Sequence, residues 1–439
     1  MIPESFLSRL REAVPVSDVV GRALRLQKAG REFKAPCPFH HEKTPSFYVN
    51  DDKGMYHCFG CGAHGDVIAF LMRHGNVSFV DAVQHLAVHA GLDMPTVTPA
   101  ERKAQARRRD LHSVVELVAR WFEEQLRAED GKAARTYLAD RGLSEETVAR
   151  FRLGWAPPGG QALRRHLAAR GVSEADALEA GVLVRSDDTG EVRSFFRRRV
   201  IFPIGDSQGR VVGFGGRLVD GDGPKYINTA DTPLFAKGEL LYGWTRMRRA
   251  LRDGQTPIVA EGYMDVIALA QAGFEATVAP LGTALTEAQL RRLFRALPPD
   301  QPLEPVIVFD GDDAGRRAAL RVVERALPVL APGRSLRFAS PPAGDDPDSL
   351  VRTGGAAAFA PILAAARPLA EVLWDAETAE RRLSTPEDKA AVVKAVDARI
   401  AAIADDAVRA AYAADFAGRL EALLGHRPAL ASGERRSVE

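Results

Sequence analysis

The three cysteines of this chain, Cys37, Cys58 and Cys61, lie in one short polar stretch of a sequence of 439 residues. Three cysteines cannot all form disulfides with one another, so metal binding or thiol chemistry explains them better. The stretch contains two ligand pairs, "CPFH" ending at His40 and "CFGC" ending at Cys61. A two-residue spacer in each pair lets a tight turn aim both side chains at one ion, which predicts a structural zinc site with three thiolates and one imidazole.

The segment between the two ligand pairs has the composition of a β-hairpin. "SFYVN" and "GMYHCF" are rich in β-forming residues and flank the turn signal Asp51–Gly54. A hairpin that joins two metal-binding turns is a zinc ribbon, and its fold depends largely on the ion. The spacing favours His40 as the fourth ligand, but His41 and His57 stay open as alternatives.

Aromatic and basic residues are interleaved in the same module. Strand aromatics with basic neighbours form a surface on which unpaired bases can stack while cations hold the phosphates. The alternative is that about half of these aromatics form the small core around the metal. The residues concerned are Phe33, Phe39, Phe47, Tyr48, Tyr56 and Phe59, with Arg31, Lys34, Lys43 and Lys53.

Composition narrows the class of protein. A content of 46% hydrophobic and 27% charged residues fits a globular chain, and its length predicts two to four domains of about 100 to 200 residues. No apolar run approaches the roughly 18 residues of a membrane span, and residues 1–11 lack the hydrophobic block of a signal peptide. We therefore expect a cytoplasmic protein. The net charge of +1 gives no overall attraction to nucleic acid, although residues 185–252 carry more basic than acidic side chains.

The middle of the chain predicts a linker and then a mixed α/β body. Residues 96–111 are polar and basic, which is typical of a flexible linker. Further on, "RVIFPIGDSQGRVVGFGGRLV" alternates β-branched residues with glycine turns and predicts a strand meander. Its "GFGGR" is a weak signal for a nucleotide loop because the strand–loop–helix context is missing. A phosphate-binding sequence of the G-x-x-x-x-G-K-[ST] type is absent from the sequence.

Three short apolar stretches are each followed by carboxylates. Glu261 follows "PIVA", Asp310 and Asp312 follow "PVIVF", and Asp346 and Asp348 come after "SLRFAS". Alternating strands and helices predict a parallel sheet, so these five acids should meet at the carboxyl ends of its strands. Clustered carboxylates repel one another unless cations lie between them, which predicts a magnesium site.

Each acid alone has a simpler explanation. A carboxylate just before a helix can be a solvated turn residue or a helix cap. We consider capping most seriously for Asp348 and Ser349, which immediately precede a predicted helix.

Taken together, these motifs resemble a known family. "EGYMDV" followed by "FDGDDAG" looks like the toprim nucleotidyl-transfer domain, and with the "CPFH…CFGC" ribbon it resembles the bacterial replicative DNA primases of the DnaG type. "RFRLGWAPPG", "RVIFPI", "GFGGR", "PKYINT", "FAKGELLYG" and "DPDSLV" occur in the order of that family. The resemblance runs from about residue 3 to at least residue 360.

The resemblance implies a multi-domain α/β fold and assigns roles to residues. Glu261, Asp310 and Asp312 correspond to catalytic metal ligands, and Asp346 and Asp348 to further magnesium or manganese ligands. The basic residues implied to handle template and nucleotide are Arg150, Arg199, Arg217, Lys225 and Lys237. The implied domains are a zinc ribbon at 1–95, a linker at 96–111, a basic α/β subdomain at 112–252, a toprim subdomain at 253–345, a helical subdomain at 346–427 and a polar tail at 428–439.

The implied activity is synthesis of short RNA primers on single-stranded DNA from ribonucleoside triphosphates, by two or more divalent metal ions and with one structural zinc. A toprim nuclease or topoisomerase would share the acids, and a non-catalytic single-strand binder would leave them unexplained. We expect a monomer without membrane contact. Family members continue into a domain that docks on the replicative helicase, but this sequence ends in "GHRPALASGERRSVE", so we expect a shortened chain without that domain.

Overall fold

A computed structural model describes residues 4–30, 32–42, 44–51, 53–94, 99–186, 188–282, 284–298, 301–379 and 381–425. The chain divides into two compact units, Met1–Gln105 and Ala106–Glu439. Among the helices described, none combines the length and apolar character required to cross a bilayer. Arg31, Lys43 and Asp52, which the sequence interpretation used, and the predicted tail at 428–439 lie outside the described residues.

The first unit is an antiparallel sheet with four helices. Its elements are α1 (Glu4–Ala13), α2 (Val16–Ala23), β1 (Gln27–Ala29), β2 (Glu32–Ala35), β3 (Phe47–Asn50), β4 (Met55–Cys58), β5 (His64–Gly65), α3 (Val67–Gly75) and α4 (Phe79–Ala90). The strands pair in chain order, β1 to β5, and β3 with β4 forms the predicted hairpin. Phe47 and Val49 of β3 face the core with Tyr56 and Cys58 of β4, because alternate side chains point to one face of a sheet.

The predicted flexible linker at 96–111 is largely a helix. Residues 96–98 lie outside the described residues, and α5 (Pro99–Arg127) begins at Pro99. The segment is rich in Ala, Arg, Lys, Glu and Gln, which are strong helix formers, and proline is well accommodated in the first turn. The polar, basic composition of residues 99–111 therefore did not indicate a flexible linker, because these residues are helical. The boundaries predicted for the domains stay predictions.

The first half of the second unit surrounds an antiparallel sheet. Its elements are α6 (Lys132–Asp140), α7 (Glu145–Arg150), β6 (Gly154–Ala156), α8 (Gln161–Ala168), α9 (Glu174–Glu179), β7 (Leu183–Arg185), β8 (Val192–Ser194), β9 (Arg199–Gly205), β10 (Val211–Leu218), β11 (Tyr226–Asn228) and α10 (Trp244–Ala250). The sheet order is β11-β10-β9-β6, and β7 pairs with β8. This sheet and α5 enclose one continuous apolar core.

The "GFGGR" segment lies inside strand β10 and is not a nucleotide loop. Its glycines are explained by packing, since a Cβ at Gly215 would lie 2.5 Å from the ring of Tyr263. A Cβ at Gly216 would lie 2.6 Å from the ring of Phe196. The strand therefore passes too close to aromatic rings for any larger side chain.

The second half of the unit contains the predicted parallel sheet. Its elements are β12 (Ile258–Val259), α11 (Tyr263–Gln271), β13 (Thr277–Val278), α12 (Glu287–Ala296), β14 (Val306–Val308), α13 (Asp313–Ala326), β15 (Arg337–Ala339), α14 (Pro347–Ala364), β16 (Arg367–Pro368), α15 (Leu369–Thr378), α16 (Pro386–Ala401) and α17 (Asp406–Leu424). The order is β13-β12-β14-β15-β16, and β16 is antiparallel to β15. The strands predicted from the three apolar stretches, β12, β14 and β15, are parallel neighbours.

Two features complete the described part of this unit. Helix α14 is interrupted at Gly355, whose φ of 62° and ψ of −160° are not helical. Helices α15, α16 and α17 pack together through buried residues such as Leu373, Val396 and Phe416. Strands β13 and β16, of two residues each, were not predicted.

Candidate metal centres

The four ligand residues of the ribbon converge. The Sγ atoms of Cys37 and Cys61 are 3.8 Å apart, and the Sγ of Cys58 lies 3.8 Å from Nδ1 of His40. One ligand atom of each residue lies within 4.8 Å of all the others. A zinc ion with bonds of about 2.3 Å to sulfur has tetrahedral edges of about 3.8 Å, so this cluster fits zinc. We call these four residues the zinc cluster.

The structure decides among the candidate histidines. His40 belongs to the zinc cluster, while His41 and His57 do not. His57 lies on β4, where exposed and buried residues alternate, so it faces away from the neighbouring Cys58. The structure thus brings together with the cysteines the histidine that the spacing favoured, and the role of His40 as a zinc ligand stays a prediction.

Glu42 braces the zinc cluster, and the sequence interpretation did not identify it. Its Oε1 accepts hydrogen bonds from the backbone N–H of Cys37 at 2.7 Å and of Ser46 at 3.0 Å. Its Oε2 lies 3.3 Å from Nε2 of His40, on the side of the ring away from Cys58. A carboxylate on the second ring nitrogen of a metal-binding histidine fixes its tautomer and orientation. The only sequence signal was an acid two residues after His40.

The surroundings shift the pKa values of the Cys37 and Cys58 thiols in opposite directions. Burial raises the pKa of Cys37 to about 12. Burial also acts to raise the pKa of Cys58, but hydrogen bonds from the Ser46 hydroxyl and the Cys61 N–H lower it to about 7. Hydrogen bonding by Ser46 likewise lowers the pKa of Glu42. A bound cation favours all three thiolates, which couples metal binding to proton release.

The aromatics of the ribbon separate into two groups. Phe47 and Tyr56 are buried and stack at 5.1 Å, so they belong to the small core. Phe59 is 73% exposed and contacts the rings of Tyr48 at 5.4 Å and His57 at 4.5 Å. The interpretation as core thus holds for the first pair, and the exposed rings remain available to bases.

The acids of the second unit gather where the parallel strands end. We call this group the acidic rim: Glu261, Asp265, Asp310, Asp312, Asp346 and Asp348. Glu261 follows β12, and its Oε1 accepts a hydrogen bond from the backbone N–H of Asp310 at 3.1 Å. That bond ties the ends of the adjacent strands β12 and β14 together.

Two rim acids also cap helices. Asp312 caps α13 by accepting from the N–H of Gly315 at 2.8 Å. Asp346 caps α14 by accepting from the N–H of Ser349 at 2.6 Å, and the Ser349 hydroxyl accepts from the N–H of Asp346. The cap is thus Asp346 and not Asp348, because Pro347 occupies the first helical position.

Asp348 is buried instead, with 1% of its side chain exposed. Its Oδ2 lies 2.8 Å from Nη1 of Arg141, which makes an ion pair. Neither carboxylate oxygen has a well-directed hydrogen bond within the described part of the chain. Burial raises the pKa of Asp348, and the charge of Arg141 opposes that shift. A buried carboxylate with spare acceptor capacity is what a cation site supplies, and Arg141 is a neighbour that the sequence interpretation missed.

Asp265 is a sixth acid that the sequence interpretation also missed. It is 8% exposed, and its Oδ2 accepts from the N–H of Gly262 at 3.0 Å. Burial, and then the charges of Asp310, Asp346 and Asp348, raise its pKa to about 8. It lies within "EGYMDV", but its position inside helix α11 concealed it from an argument about strand ends.

Burial and, after it, the charges of neighbouring acids raise the pKa values of several rim acids. Burial, and then the charges of Glu261, Asp346 and Asp312, raise the pKa of Asp310 to about 6, while Lys225 acts to lower it. Burial also raises the pKa of Glu261. Among the described residues, the zinc cluster is the only group of three or more Cys, His, Asp or Glu side chains that lie close enough together to hold one metal ion, so the rim is more open. The open rim suits magnesium, which keeps several of its waters and takes few protein ligands.

The predicted basic residues fall into different environments. Arg150 forms an ion pair with Glu275 at 2.5 Å. Arg199 is 6% exposed and donates to the carbonyl of Gly216 at 3.1 Å. These two side chains are engaged by the protein itself.

The other three are more available. Arg217 lies over the ring of Tyr226, 5.1 Å from its centroid. Lys225 is exposed and close enough to the rim for its charge to act on Asp310. Lys237 is half-buried, and the described hydrogen bonds involve only its backbone. Of the five, Lys225 is the residue whose charge reaches the acidic rim most directly.

Four family models match successive parts of the chain. They are the CHC2 zinc finger at residues 2–102, the N-terminal domain of the DNA primase catalytic core at 121–248, the Toprim domain at 255–338 and the DnaB-helicase binding domain of primase at 370–424. The zinc-finger match and the zinc cluster together support one zinc ion.

Curated proteins and solved structures give the same result. A DNA primase of Pseudomonas aeruginosa is 44% identical over 395 residues, and one of Escherichia coli K12 is 40% identical over 391 residues. Each alignment covers 89% of this chain, which spans 59% and 66% of the lengths of these relatives.

A DNA primase domain from Pseudomonas aeruginosa has 41% identity and a TM-score of 0.66 over 72% of this chain and 96% of its own. The zinc-binding and RNA polymerase domains of the Aquifex aeolicus primase have 31% identity and a TM-score of 0.60 over 96% and 99%.

One expectation is wrong. We expected the helicase-docking domain to be absent, but the model of the DnaB-helicase binding domain of primase matches residues 370–424. These residues form α15, α16 and α17, which the sequence interpretation assigned to a helical part of the core. Helical periodicity describes the packing of such a segment but carries no information about what its outer surface binds.

Proposed function

This chain belongs to the bacterial DNA primases of the DnaG type, and from that premise we propose that it synthesises short RNA primers on single-stranded DNA. The acidic rim is the observation that carries the proposal. Six carboxylates gathered around the ends of three parallel strands, several with raised pKa values, are costly for folding unless cations offset them. Nucleotidyl transfer is a reaction that uses such cations directly.

We assign the rim residues as follows. Glu261, Asp310 and Asp312 hold magnesium or manganese at the reaction centre, and Asp346 and Asp348 hold further ions. When bound, the ions supply positive charge that makes the primer 3′-hydroxyl more acidic and balances the departing pyrophosphate. Asp265 positions Gly262 and the start of α11 next to Glu261, through its bond to the Gly262 N–H.

Basic residues near the rim complete the assignment. Lys225 is exposed close to Asp310, and we assign it to the triphosphate of an incoming ribonucleotide. Arg217, Arg199 and Lys237 contribute positive potential to the template surface, while Arg150 is occupied by Glu275. Template affinity should therefore decrease steeply as salt rises, because cations are released on binding.

The zinc ribbon contributes to the choice of the starting site. Its zinc is structural, since the four ligands leave no open position. Phe59, Tyr48 and His57 form an exposed aromatic group that can stack on unpaired template bases. Phe59→Ala should weaken binding of single-stranded DNA by about 1 to 3 kcal/mol without loss of zinc. Phe33→Ala, on the same unit, serves as the comparison for a less exposed ring.

The remaining partners follow from the same premise. We assign α15, α16 and α17 to contact with the replicative helicase, in keeping with the family model that matches them. The site of action is the replication fork in the cytoplasm.

The first test is synthesis of RNA from ribonucleotides on single-stranded DNA with magnesium. Asp310→Ala should reduce primer formation by about 100-fold or more, because a rim ligand is lost. Asp313→Ala is the matched control, since Asp313 lies three residues away, is 74% exposed and pairs only with Arg316 among the described ion pairs. Equal synthesis by wild type and Asp310→Ala would refute the assignment. Cleavage of DNA without RNA synthesis would indicate a toprim nuclease instead.

A second test separates the ribbon from the rim. Cys58→Ala should abolish initiation on bare template more strongly than extension of a pre-annealed RNA primer, because the ribbon acts in choosing where synthesis starts. Equal loss of both activities, or initiation at the wild-type rate, would contradict this role.

A further inference from the structure

The Ala106–Glu439 unit contains a cavity that is lined by arginines and shares no residue with the acidic rim. It has a volume of about 240 Å³ and lies between the end of α7, the β9–β10 turn and the start of α10. The described residues that line it include no Asp or Glu. Its main polar lining is Arg150, Arg152, Tyr242, Trp244, Arg246 and Arg249. We call it the arginine cavity.

Two of the four arginines are neutralised by acids outside the lining. Arg150 pairs with Glu275 at 2.5 Å. Arg152 pairs with Glu116 at 2.9 Å and with Glu123 at 2.7 Å. These pairs fix the two side chains but leave the cavity without negative charge of its own.

The other two arginines are not neutralised. Within the described residues, no carboxylate lies within ion-pair distance of Arg246 or Arg249. The Arg246 guanidinium lies 4.2 Å from the ring centroid of Phe151 and donates to the carbonyl of Arg150. Burial, and then the charge of Arg150, lower the pKa of Arg246, while the charge of Glu275 opposes that shift. Arg246 is therefore held in place in an environment with excess positive charge.

Buried hydrogen-bond donors provide an independent observation. The hydroxyl of Tyr242 and the indole N–H of Trp244 have no hydrogen-bond partner among the described residues, and neither has Nε of Arg150. Tyr242 is 3% exposed and Trp244 is 5% exposed. Buried polar groups are normally paired, so each unpaired donor calls for an acceptor. All three residues line the cavity.

We propose that the arginine cavity binds a small phosphate-bearing anion of about the size of pyrophosphate. Guanidinium groups and N–H and O–H donors match the acceptor oxygens of phosphate, and the cavity offers no competing carboxylate. A volume of about 240 Å³ is below the roughly 300 to 1,000 Å³ of pockets for drug-sized ligands, which favours phosphate or pyrophosphate over a whole nucleotide. The cavity shares Arg150 with the basic residues that the resemblance implies for template and nucleotide, but it shares no residue with the rim, so the inference does not rest on the rim assignment.

The test is calorimetric titration of the full chain with inorganic pyrophosphate in buffer without added magnesium. Under these conditions the acidic rim repels an anion. A separate cavity lined by Arg193, Arg197 and Arg198 could also attract one, so the arginine variants decide where the anion binds. We expect saturable binding at one site, weakened at least tenfold by the double change Arg246→Gln and Arg249→Gln. Arg248→Gln is the matched control, because Arg248 is exposed on the same helix and does not line the cavity. It should bind pyrophosphate like the wild type.

Tyr242→Phe gives a second variant that keeps the ring packed against Tyr263 at 4.8 Å. Loss of its hydroxyl should weaken pyrophosphate binding several-fold, and an unchanged thermal unfolding curve would establish that the fold is intact. Absence of saturable binding, or equal binding by wild type and the arginine double variant, would overturn the proposal. So would loss of binding in Asp310→Ala alone, which would place the anion at the rim. A double variant that loses affinity only for single-stranded DNA would indicate a nucleic-acid contact instead and would also overturn it.

Discussion

The zinc cluster brings four ligand atoms within 4.8 Å of one another, whereas the acidic rim leaves six carboxylates at the ends of three strands and within two helices. In the cluster, Glu42 and Ser46 hold the ligands in place through hydrogen bonds. In the rim, Asp312 and Asp346 are held as helix caps and Asp348 by Arg141.

Under the proposed function, the difference reflects two uses of a metal. A closed set of four ligands stabilises a small fold, and its binding free energy is folding free energy. An open set of acids reserves coordination positions for substrate, and its unbalanced charge opposes folding. Removal of a ligand should therefore destabilise the first unit and relieve repulsion in the second.

The largest expected effect is at the cluster. Cys58→Ser should reduce zinc content from one ion per chain to near zero and unfold the first unit, because the metal supplies about 10 kcal/mol or more to such folds. The second unit should stay folded. All four tryptophans, Trp121, Trp155, Trp244 and Trp374, belong to it, so their fluorescence reports it alone. If NMR spectra show that the first unit stays folded without zinc, the metal does not stabilise its fold, and the contrast between the cluster and the rim is wrong.

The next largest expected effect is on the pH dependence of the free energy of unfolding. Here an acid of the rim, Asp265, destabilises the folded chain when it is ionised. Its pKa is about 8 in the folded chain and near 4 when unfolded, so the folded state holds a proton that the unfolded state releases. Without divalent cations, the free energy of unfolding should therefore fall by up to about 5 kcal/mol between about pH 4 and pH 8.

Asp265→Asn cannot release this proton and should flatten the slope. Urea unfolding followed by tryptophan fluorescence at several pH values measures it, and Glu275→Gln provides a control outside the rim. Magnesium should restore stability at pH 8. An unchanged slope in Asp265→Asn would show that another group titrates.

A smaller effect tests how firmly the cluster is braced. Glu42→Gln should weaken zinc affinity by about 10- to 100-fold, because an amide cannot replace the carboxylate beside Nε2 of His40. Competition with a colorimetric chelator measures this change. Glu32→Gln is the control, since Glu32 accepts from Asn50 in the same unit and does not contact the cluster. Equal affinity for wild type and Glu42→Gln would mean that the ligands need no brace.

The smallest effect concerns the neighbouring histidine. His41→Ala should change zinc affinity by less than about twofold, since His41 is outside the cluster, whereas His40→Ala removes one of four ligands. The reverse ranking in the same chelator competition would identify His41 as the ligand.

The sequence predicted the zinc cluster well because its ligands are close along the chain. Two short spacers and a hairpin bring Cys37 and Cys61 together, and local spacing is visible in a sequence. The role of Glu42 was not visible, because it depends on which ring nitrogen of His40 faces the cluster.

The rim was predicted in outline by the rule that parallel strands end at one edge. Asp265 and Arg141 were missed because one lies inside a helix and the other arrives from the end of α6, more than two hundred residues before Asp348. The capping alternative considered for Asp348 does not apply, since Pro347 occupies the first turn of α14 and Asp346 is the cap. Contacts between distant segments leave no periodic pattern in the sequence. The partner that binds the outer surface of α15, α16 and α17 leaves none either.

The close contact between Gly215 and the ring of Tyr263 constrains which substitutions these two positions can accept during evolution. The ring of Tyr263 stacks on Phe202 at 4.9 Å, and its hydroxyl donates to Asn228. Any side chain introduced at residue 215 must displace the ring of Tyr263. Tyr263 is the first residue of α11, the helix that contains Asp265. A tolerated substitution at either position would have to arrive with a compensating one at the other. The two residues should therefore be inherited as a pair, and a library randomised at both should recover combinations that neither single library contains.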